Sequence, residues 1–301
     1  MTALRILRAA PLTTLQDAGR FGYLRHGISA SGPMDRAAFQ RAEAWLGGAG
    51  STAIEFTTGG LSLRVEGGSI GAACDGGEFT LSLNGEKLEW PARMSLKDGD
   101  VIDIAPGPAG NYGYFRTSHE VDVPLLLGSR ATNLVSRLGG LQGRGLRAGD
   151  LIPVGSRVQR RMSMHPRPAM PAKGPIRVIW GLHADLFSDD VREHFISEPF
   201  VISHRIDRMG ARLEDRAGVF TAAEILSLVS DAVVPGDIQI LGDGTPIVLM
   251  RDHQPTGGYP RIATVVDADL DRLAQMRPGS EVSFRPVTLA QAYALLKAGH
   301  A

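Results

Sequence analysis

The chain has a single cysteine, Cys74, in its 301 residues, so no intramolecular disulfide can staple the fold and a reducing, cytoplasmic setting is expected. Charge of one sign is not in excess either: 32 lysines and arginines balance 32 aspartates and glutamates. That balance excludes binding to nucleic acid or to an anionic membrane surface through bulk charge, and leaves a small anionic substrate open. No apolar run approaches the length of a membrane span. Met1 to Ala10 lacks the apolar block and small-residue cleavage site of a signal peptide. Several chemistries are missing their motifs. Without a Gly-x-x-x-x-Gly-Lys-Ser/Thr loop, any use of ATP is not of the P-loop kind. Eight scattered histidines and one cysteine, with no His-Glu-x-x-His, give no zinc spacing, and no metal is expected. No Gly-x-Ser-x-Gly elbow occurs. Cys74 follows Ala72 and Ala73 in a predicted strand and reads as a small core residue, not a nucleophile.

What the chain does have is turns. Its 37 glycines and 18 prolines, set against 6% aromatics, point to many short strands and a mainly β fold with short helices. Leu61, Leu63 and Val65 alternate with Ser62, Arg64 and Glu66, the period of a half-buried strand. Phe79–Leu83 and Lys87–Trp90 flank Asn84-Gly85, the pair a type I′ hairpin turn requires. Asp237–Leu241 and Pro246–Met250 flank Asp243-Gly244, which predicts a second such turn. Further strands are expected at Val101–Ile104, Tyr112–Arg116, Ile176–Trp180, Arg261–Val266 and Glu281–Phe284. Pro33 suits a first helical position, with Ala38, Ala42 and Trp45 on one face and Gly47-Gly48 as the stop. Capping boxes at Thr221-x-x-Glu224 and Thr288-x-x-Gln291 each open a short helix. Asp269–Met276 and Ala184–Phe195 are two more candidates.

One turn recurs. Leu96–Val101, Leu146–Leu151, Val233–Ile238 and Met276–Val282 each place a glycine just before a strand, two copies in each half of the chain. Such turns are common in β-barrels, but their distribution suggests two related barrels in tandem. Met162–Pro175 carries four prolines and no periodicity, and reads as a semi-rigid linker. The expected domains are therefore residues 1–165 and 176–301.

Four stretches carry more glycine and polar residues than folding requires. The first is Thr13–Gly22, continuing through Gly27 to Asp35; Arg20 there could clamp a carboxylate or phosphate. It also reads as a plain glycine loop in which Asp17 caps backbone amides and pairs with Arg20. In the second, Gly128–Arg130 and Gly139–Gly145, backbone amides could form an anion nest. Gly143-x-Gly145-x-x-Ala148 matches a dinucleotide fingerprint but runs into a Gly-Asp turn instead of a helix. Gly48-x-Gly50-x-x-Ala53 leads into a strand, and both are rejected. The third stretch is His204–Gly210. The fourth, Arg251–Pro260, follows an apolar strand, where scaffolds present catalytic groups. Asp252 could act as base or orienter, His253 as proton shuttle, and Gln254 and Thr256 as hydrogen-bonding groups for an amide or carbonyl. Asp, Thr and Gly are also ordinary turn residues, and an exposed histidine is usually idle.

Taken in order, five motifs resemble one family: Thr14–Gly22 with Gly32–Asp35, Gly139–Asp150, Asp207–Gly210, Val233–Gln239 and Thr256–Thr264. The family includes the C subunit of 5-oxoprolinase, allophanate hydrolase subunit 2 and one half of the carboxyltransferase domain of urea amidolyase. The match spans essentially the whole chain. It implies two tandem cyclophilin-like β-barrel subdomains and a joint active site with a subunit-B partner. It implies either ATP-dependent opening of 5-oxoproline to L-glutamate, with a lactam-utilisation A-type subunit, or carboxyl transfer from carboxybiotin to urea or a similar amide. Ala169–Lys173 is not a biotin attachment signal, so biotin would arrive on another chain. A third reading is a non-catalytic regulator that binds a subunit-B-like kinase inhibitor. Asp252, Gln254 and Tyr259 are the catalytic candidates. Gln16, Asp17, Arg20, Asp35, Arg130, Arg208, Thr256, Gly257 and Gly258 are candidates for holding substrate or nucleotide. Two expectations follow: the Thr14–Arg20 and Asp252–Tyr259 loops share a cleft, and Asp252→Ala abolishes activity with the melting temperature nearly unchanged. His253 and Pro255 stand where the resemblance leads one to expect Arg and Thr, and Ala211 where an aromatic often stands.

Overall fold

The computed structural model describes residues 2–158, 174–221 and 227–298. Most of the Met162–Pro175 linker and residues 222–226 of the first capping box lie outside the described residues. Two compact units emerge: Met1–Gly22 with Ala30–Ala169, and Tyr23–Ser29 with Met170–Ala301.

The first unit follows from alternation. Leu61, Leu63 and Val65 are fully buried while Arg64 faces solvent, so Leu61–Glu66 presents one apolar face. It lies mid-sheet between Thr2–Ala9 and Val101–Pro106, antiparallel to both. The full seven-stranded order is His119–Val121, Leu151–Arg157, Thr2–Ala9, Leu61–Glu66, Val101–Pro106, Phe79–Leu83, Glu86–Leu88. A five-stranded sheet runs Thr14–Gln16, Ala53–Thr57, Tyr112–Thr117, Ile70–Gly76, Ala92–Leu96. The apolar faces of both sheets enter one core, which includes Leu4, Ile6, Leu15, Ile54, Phe56, Ile102 and Phe115. Phe56 meets Phe79 edge to face at 5.0 Å between centroids, a favoured aromatic geometry. Cys74 sits in this core with no exposure, and burial pushes its thiol well above its ordinary range. It is the inert core residue its neighbours predicted.

In the second unit an eight-stranded sheet runs Glu281–Val282, Phe200–Ile206, Gly210–Glu214, Pro246–Leu249, Asp237–Ile240, Arg261–Val265, Ile176–Trp180, Phe284–Pro286. Its one parallel pairing joins Ile176–Trp180 to Phe284–Pro286. Phe195 and Phe220 pack against Phe200 and Phe284 of its strands, Phe195 stacked on Phe284 at 4.9 Å. Among the described residues the helices are short and strands dominate, so the chain is mainly β, two β-barrel units in tandem.

The recurring turn is one hydrogen-bonded device used four times. Gly99, Gly149, Gly236 and Gly279 all take φ between 86° and 96°, which a Cβ-bearing residue strongly disfavours. Each glycine donates its N–H to a strand carbonyl, of Val65, Ile6, Leu249 and Ile202 respectively. In three copies the same strand residue returns the bond: Val65 N to Asp100 O, Ile6 N to Asp150 O, Ile202 N to Ser280 O. Asp100, Asp150 and Asp237 also accept from the amide three residues earlier, at 2.8, 2.9 and 3.0 Å. The aspartate thus closes the turn that its glycine opens.

Several expectations change in detail. Asn84 and Gly85 take the two positive φ values of a type I′ turn, 52° and 86°. Of Asp243-Gly244 only Gly244 does, because the loop from Leu241 to Thr245 is longer and closes with Leu241 N on Thr245 O at 3.0 Å. Glu281–Phe284 divides into two strands that pair with different neighbours. The first helix is Arg36–Leu46, not one opened by Pro33: Asp35 is its cap, accepting from Ala38 N at 2.8 Å. Trp45, at 43% exposure, lies at the edge of that helix and donates to Asp75. Ala184–Phe195 splits into a short 3-10 turn, Ala184–Leu186, and a helix, Asp189–Ser197, capped by Ser188. The Thr288–Gln291 box forms as predicted, each side chain bonding the other's backbone N–H. The helix near Asp269 runs Asp267–Ala274.

Candidate functional site

The first stretch folds into a framework of loops. Asp17 Oδ1 accepts from Gly19 N at 2.9 Å and from Ser129 Oγ at 2.6 Å, while Oδ2 accepts from Arg130 N at 2.6 Å. Arg20, at 1% exposure, donates from Nε to Leu126 O and from Nη2 to Ser129 O and Ala131 O. Gln16 bridges in the same way, from Nε2 to Thr132 O at 2.9 Å and with Oε1 accepting Gly32 N at 3.1 Å. Arg130 Nε binds Val123 O, and its Nη1 lies 3.5 Å from Glu120. The amide-capping role of Asp17 is therefore present, and the guanidinium of Arg20 is occupied by carbonyls of the 126–131 loop. Asp35 N donates to Tyr114 Oη, which in turn donates to the buried Glu55 carboxylate at 2.8 Å. Burial and the neighbouring Glu55 and Asp35 carboxylates hold the Tyr114 hydroxyl well above its ordinary range, so it acts as a neutral bridge.

In the second stretch several of the amides that could form a nest are bonded within the fold. Gly140 N bonds Arg130 O, Gly143 N bonds Gly139 O, and Leu146 N bonds Thr13 O. Its glycines serve tight turns and close backbone approach: a Cβ on Gly139 would meet Ala131 O at 2.0 Å. Arg144 pairs with Asp150 through two 2.8 Å bonds. Those amides are therefore committed within the fold.

In the second unit the third and fourth stretches come together. The Asp207 carboxylate accepts from Met209 N and Gly210 N, turning Phe200–Ile206 back into Gly210–Glu214. That turn aims Arg208 at Asp252, and the two form a bidentate pair, Nε to Oδ2 at 2.9 Å and Nη2 to Oδ1 at 3.1 Å. Both side chains are almost wholly buried, at 2% and 1% exposure. Asp252 N also bonds Arg208 O. Asp252 therefore locks the loop base, and its removal is now expected to lower the melting temperature instead of leaving it nearly unchanged. A buried guanidinium stripped of its carboxylate is costly.

Beyond that lock, His253 is buried at 4% exposure, not an exposed idle imidazole, with Nδ1 2.6 Å from Gln254 O. A carbonyl only accepts, so Nδ1 carries the hydrogen and Nε2 keeps its lone pair. Burial holds the ring below its ordinary value, so it is neutral at pH 7. Gln254 Nε2 donates to Gln239 Oε1 at 3.2 Å. Gln239 is buried, and its Nε2 has no hydrogen-bond partner among the described residues; it lies where a Cβ on Gly257 would come within 2.3 Å. Gly257 is thus required by close packing against an amide. Thr256–Gly257 pairs with Asp231–Ala232 in a two-residue ladder, and Gly258 O accepts from Leu228 N. Thr256 is exposed, and Tyr259 is 40% exposed.

A charged group that the sequence analysis missed adjoins these residues. Arg261 donates to Asp231 at 2.6 Å and Ala232 O at 2.7 Å and lies 3.5 Å from Asp237. His183 Nδ1 accepts Arg261 N at 3.3 Å; burial and then Arg261 hold that ring below its ordinary value. Asp237 and Gln239 stand two residues apart on a strand whose four residues are all buried, and Gln239 pairs with Arg261 across the sheet. Two polar residues in an otherwise apolar strand were the available signal. The two loops expected to share a cleft belong to different units.

The family described as carboxyltransferase domain, subdomain A and B, matches residues 26–286, and the chain belongs to it. The 5-oxoprolinase C subunit of Escherichia coli is 33% identical, over 96% of this chain and 93% of its own length. The urea amidolyase of Lachancea kluyveri is 29% identical over 95% of this chain, which spans only 17% of that protein. The crystal structure of the K. lactis urea amidolyase superposes with a TM-score of 0.87 at 26% identity, covering 99% of this chain and 19% of that one.

Proposed function

We propose that the chain is the C-type member of an ATP-dependent 5-oxoprolinase, which opens 5-oxoproline to L-glutamate together with B-type and lactam-utilisation A-type subunits. One observation carries this reading: the end-to-end match to a 5-oxoprolinase C subunit, whose length this chain nearly equals. The residues suit a lactam. The amide of Gln254, the Thr256 hydroxyl and the exposed Tyr259 hydroxyl offer donors and acceptors for a ring carbonyl and N–H. Neutral His253 offers a lone pair for proton transfer if the loop opens its Nε2 to substrate. Asp252 and Arg208 then hold the loop in place and do not touch substrate. Gln16, Asp17, Arg20, Asp35 and Arg130 likewise shape the first unit's loops. ATP is used together with the partner subunits.

Glutamate release from 5-oxoproline, followed with the chain alone and with its A- and B-type partners, tests the reading. Silence of the isolated chain and ATP-dependent turnover by the assembly are expected. Full turnover by the isolated chain would sink the shared site. A second reading is favoured by the family match and by the fold shared with urea amidolyase: transfer of a carboxyl group from biotin carried on another chain. An assembly inactive on 5-oxoproline but active on a carboxybiotin acceptor would select it.

A further inference from the structure

The first unit holds a cavity of about 550 Å³ that none of the candidate residues lines. Its size is that of a small-molecule site. The walls are mostly apolar and include two of the chain's three tryptophans, Trp45 and Trp90. Trp45 is 43% exposed, so the helix Arg36–Leu46 does not bury its indole in the core. A single exposed aromatic is ordinary, but two indoles lining one hollow make a stacking surface.

Both indoles are fixed in place by the fold. Asp75, at 3% exposure, accepts from Arg41 Nη2 at 2.7 Å, Arg41 Nε at 3.2 Å, Trp45 Nε1 at 3.3 Å and the Gly76 amide at 2.7 Å. One buried carboxylate thus pins a guanidinium and an indole together. Trp90 rests on the core residues Phe79 and Phe56, with ring centroids 5.3 and 6.4 Å away. Preorganisation of that kind lowers the ordering cost of binding. Two polar groups of the lining stay uncommitted. Arg41 Nη1, a donor, bonds nothing among the described residues, since the guanidinium meets Asp75 through Nε and Nη2. Glu78, an acceptor, is exposed and likewise has no side-chain partner among the described residues.

Two indoles with one free donor and one free acceptor suit a flat, neutral heteroaromatic ring that carries both an amine and ring nitrogens. A cation would meet the Arg41 guanidinium, and an anion would meet the Glu78 carboxylate. We propose that this cavity takes the adenine base of ATP, stacked on Trp45 and Trp90, its exocyclic amine donating to Glu78 and a ring nitrogen accepting from Arg41. The placement rests on the ATP-dependent reaction proposed above and says where on this chain the base sits. Stacking on aromatics tolerates any base, so Glu78 makes the choice of adenine. Arg41 is the one cation among the described lining residues, and Asp75 already holds it. The phosphates therefore gain little here, and the base carries the affinity.

Calorimetry on the full chain with adenosine, ATP and inosine tests this, with melting temperature read in parallel. Adenosine and ATP should bind with nearly equal affinity. Inosine, which has an oxygen in place of the amine, should bind about tenfold more weakly. Trp45→Leu should weaken adenosine about tenfold. Glu78→Ala changes an exposed side chain, so it should keep the melting temperature and erase the preference for adenosine over inosine. If Trp45→Leu unfolds the chain, Glu78→Ala alone decides. No saturable binding of adenosine or ATP, equal affinity for inosine, or variants that bind as the unsubstituted chain does would each overturn the site. Absence of binding beside ATP-dependent glutamate release by the assembly would overturn it alone. Binding by a chain whose complete assembly releases no glutamate would refute the reaction and leave the base site standing.

Discussion

At the residue scale the buried pair Arg208–Asp252 is the most sensitive point of the candidate site. Two bonds of 2.9 and 3.1 Å connect groups that water scarcely reaches. Asp252→Ala leaves a buried guanidinium without its counter-charge, and a loss of about 3–5 kcal/mol is expected in urea unfolding. An unchanged unfolding midpoint would show that Arg208 finds another carboxylate. Gln239 is a second such point. Gln239→Leu removes the acceptor of Gln254 Nε2, and about 1 kcal/mol of stability is expected to go with it. Affinity of the assembled enzyme for 5-oxoproline should weaken more than the small stability change implies; equal affinity would remove Gln254 from the site. Cys74, fully buried with a thiol far above its usual range, should resist Ellman's reagent until the chain unfolds.

At the element scale the four-fold turn makes a comparative prediction. Asp100 and Asp150 each accept from the amide three residues earlier and lie beside a glycine of positive φ. Replacing either by alanine should cost about 1–2 kcal/mol by chemical denaturation, since at least two bonds go with each carboxylate. Met276–Val282 has Ser280 at the corresponding place, so Ser280→Ala should cost less. Equal losses at all three would show that the glycine alone defines the turn. The Asp35 cap is another element-scale device, and Asp35→Ala should cost about 1 kcal/mol.

At the scale of the whole molecule, stability should fall with acid in two stages. His119, His183 and His253 are all held below the ordinary 6.5, in each case chiefly by burial. The unfolded chain therefore binds protons near pH 6.5 that the native state refuses. The stability these rings contribute is full above pH 6.5 and is lost as pH falls from there through their native values. The second stage comes lower still. Asp100 is held below its usual range first by Asn84 and then by the Lys97 amide, and Asp150 first by Arg144; their contributions vanish as pH falls through those lowered values. Melting temperature measured from pH 7.5 to 3 should show both declines. In His253→Gln the first should be shallower; an unaltered slope would remove His253 as a contributor.

Alternation and turn chemistry in the sequence determined most of the elements by themselves. Leu61–Glu66, the Asn84-Gly85 hairpin and the Thr288 capping box depend on neighbours only a few residues away, and the chain alone suffices to specify them. Thr2–Ala9 was hidden because Arg5 and Arg8 interrupt its apolar pattern; they are accommodated by Glu66 and Asp103, which only the folded sheet brings alongside. The polar stretches were visible as unusual composition, but their roles were not. Whether Arg20 meets a ligand or the carbonyls of residues 126–131 depends on a loop more than a hundred positions away. Arg208 and Asp252, 44 residues apart, became a lock, and Gln239 became the partner of Gln254, only when strands closed the distance. Local sequence decides conformation through steric and hydrogen-bonding rules a few residues long. Which polar group is left to face a ligand is decided by what the rest of the fold has already bonded, and that is a property of the tertiary structure.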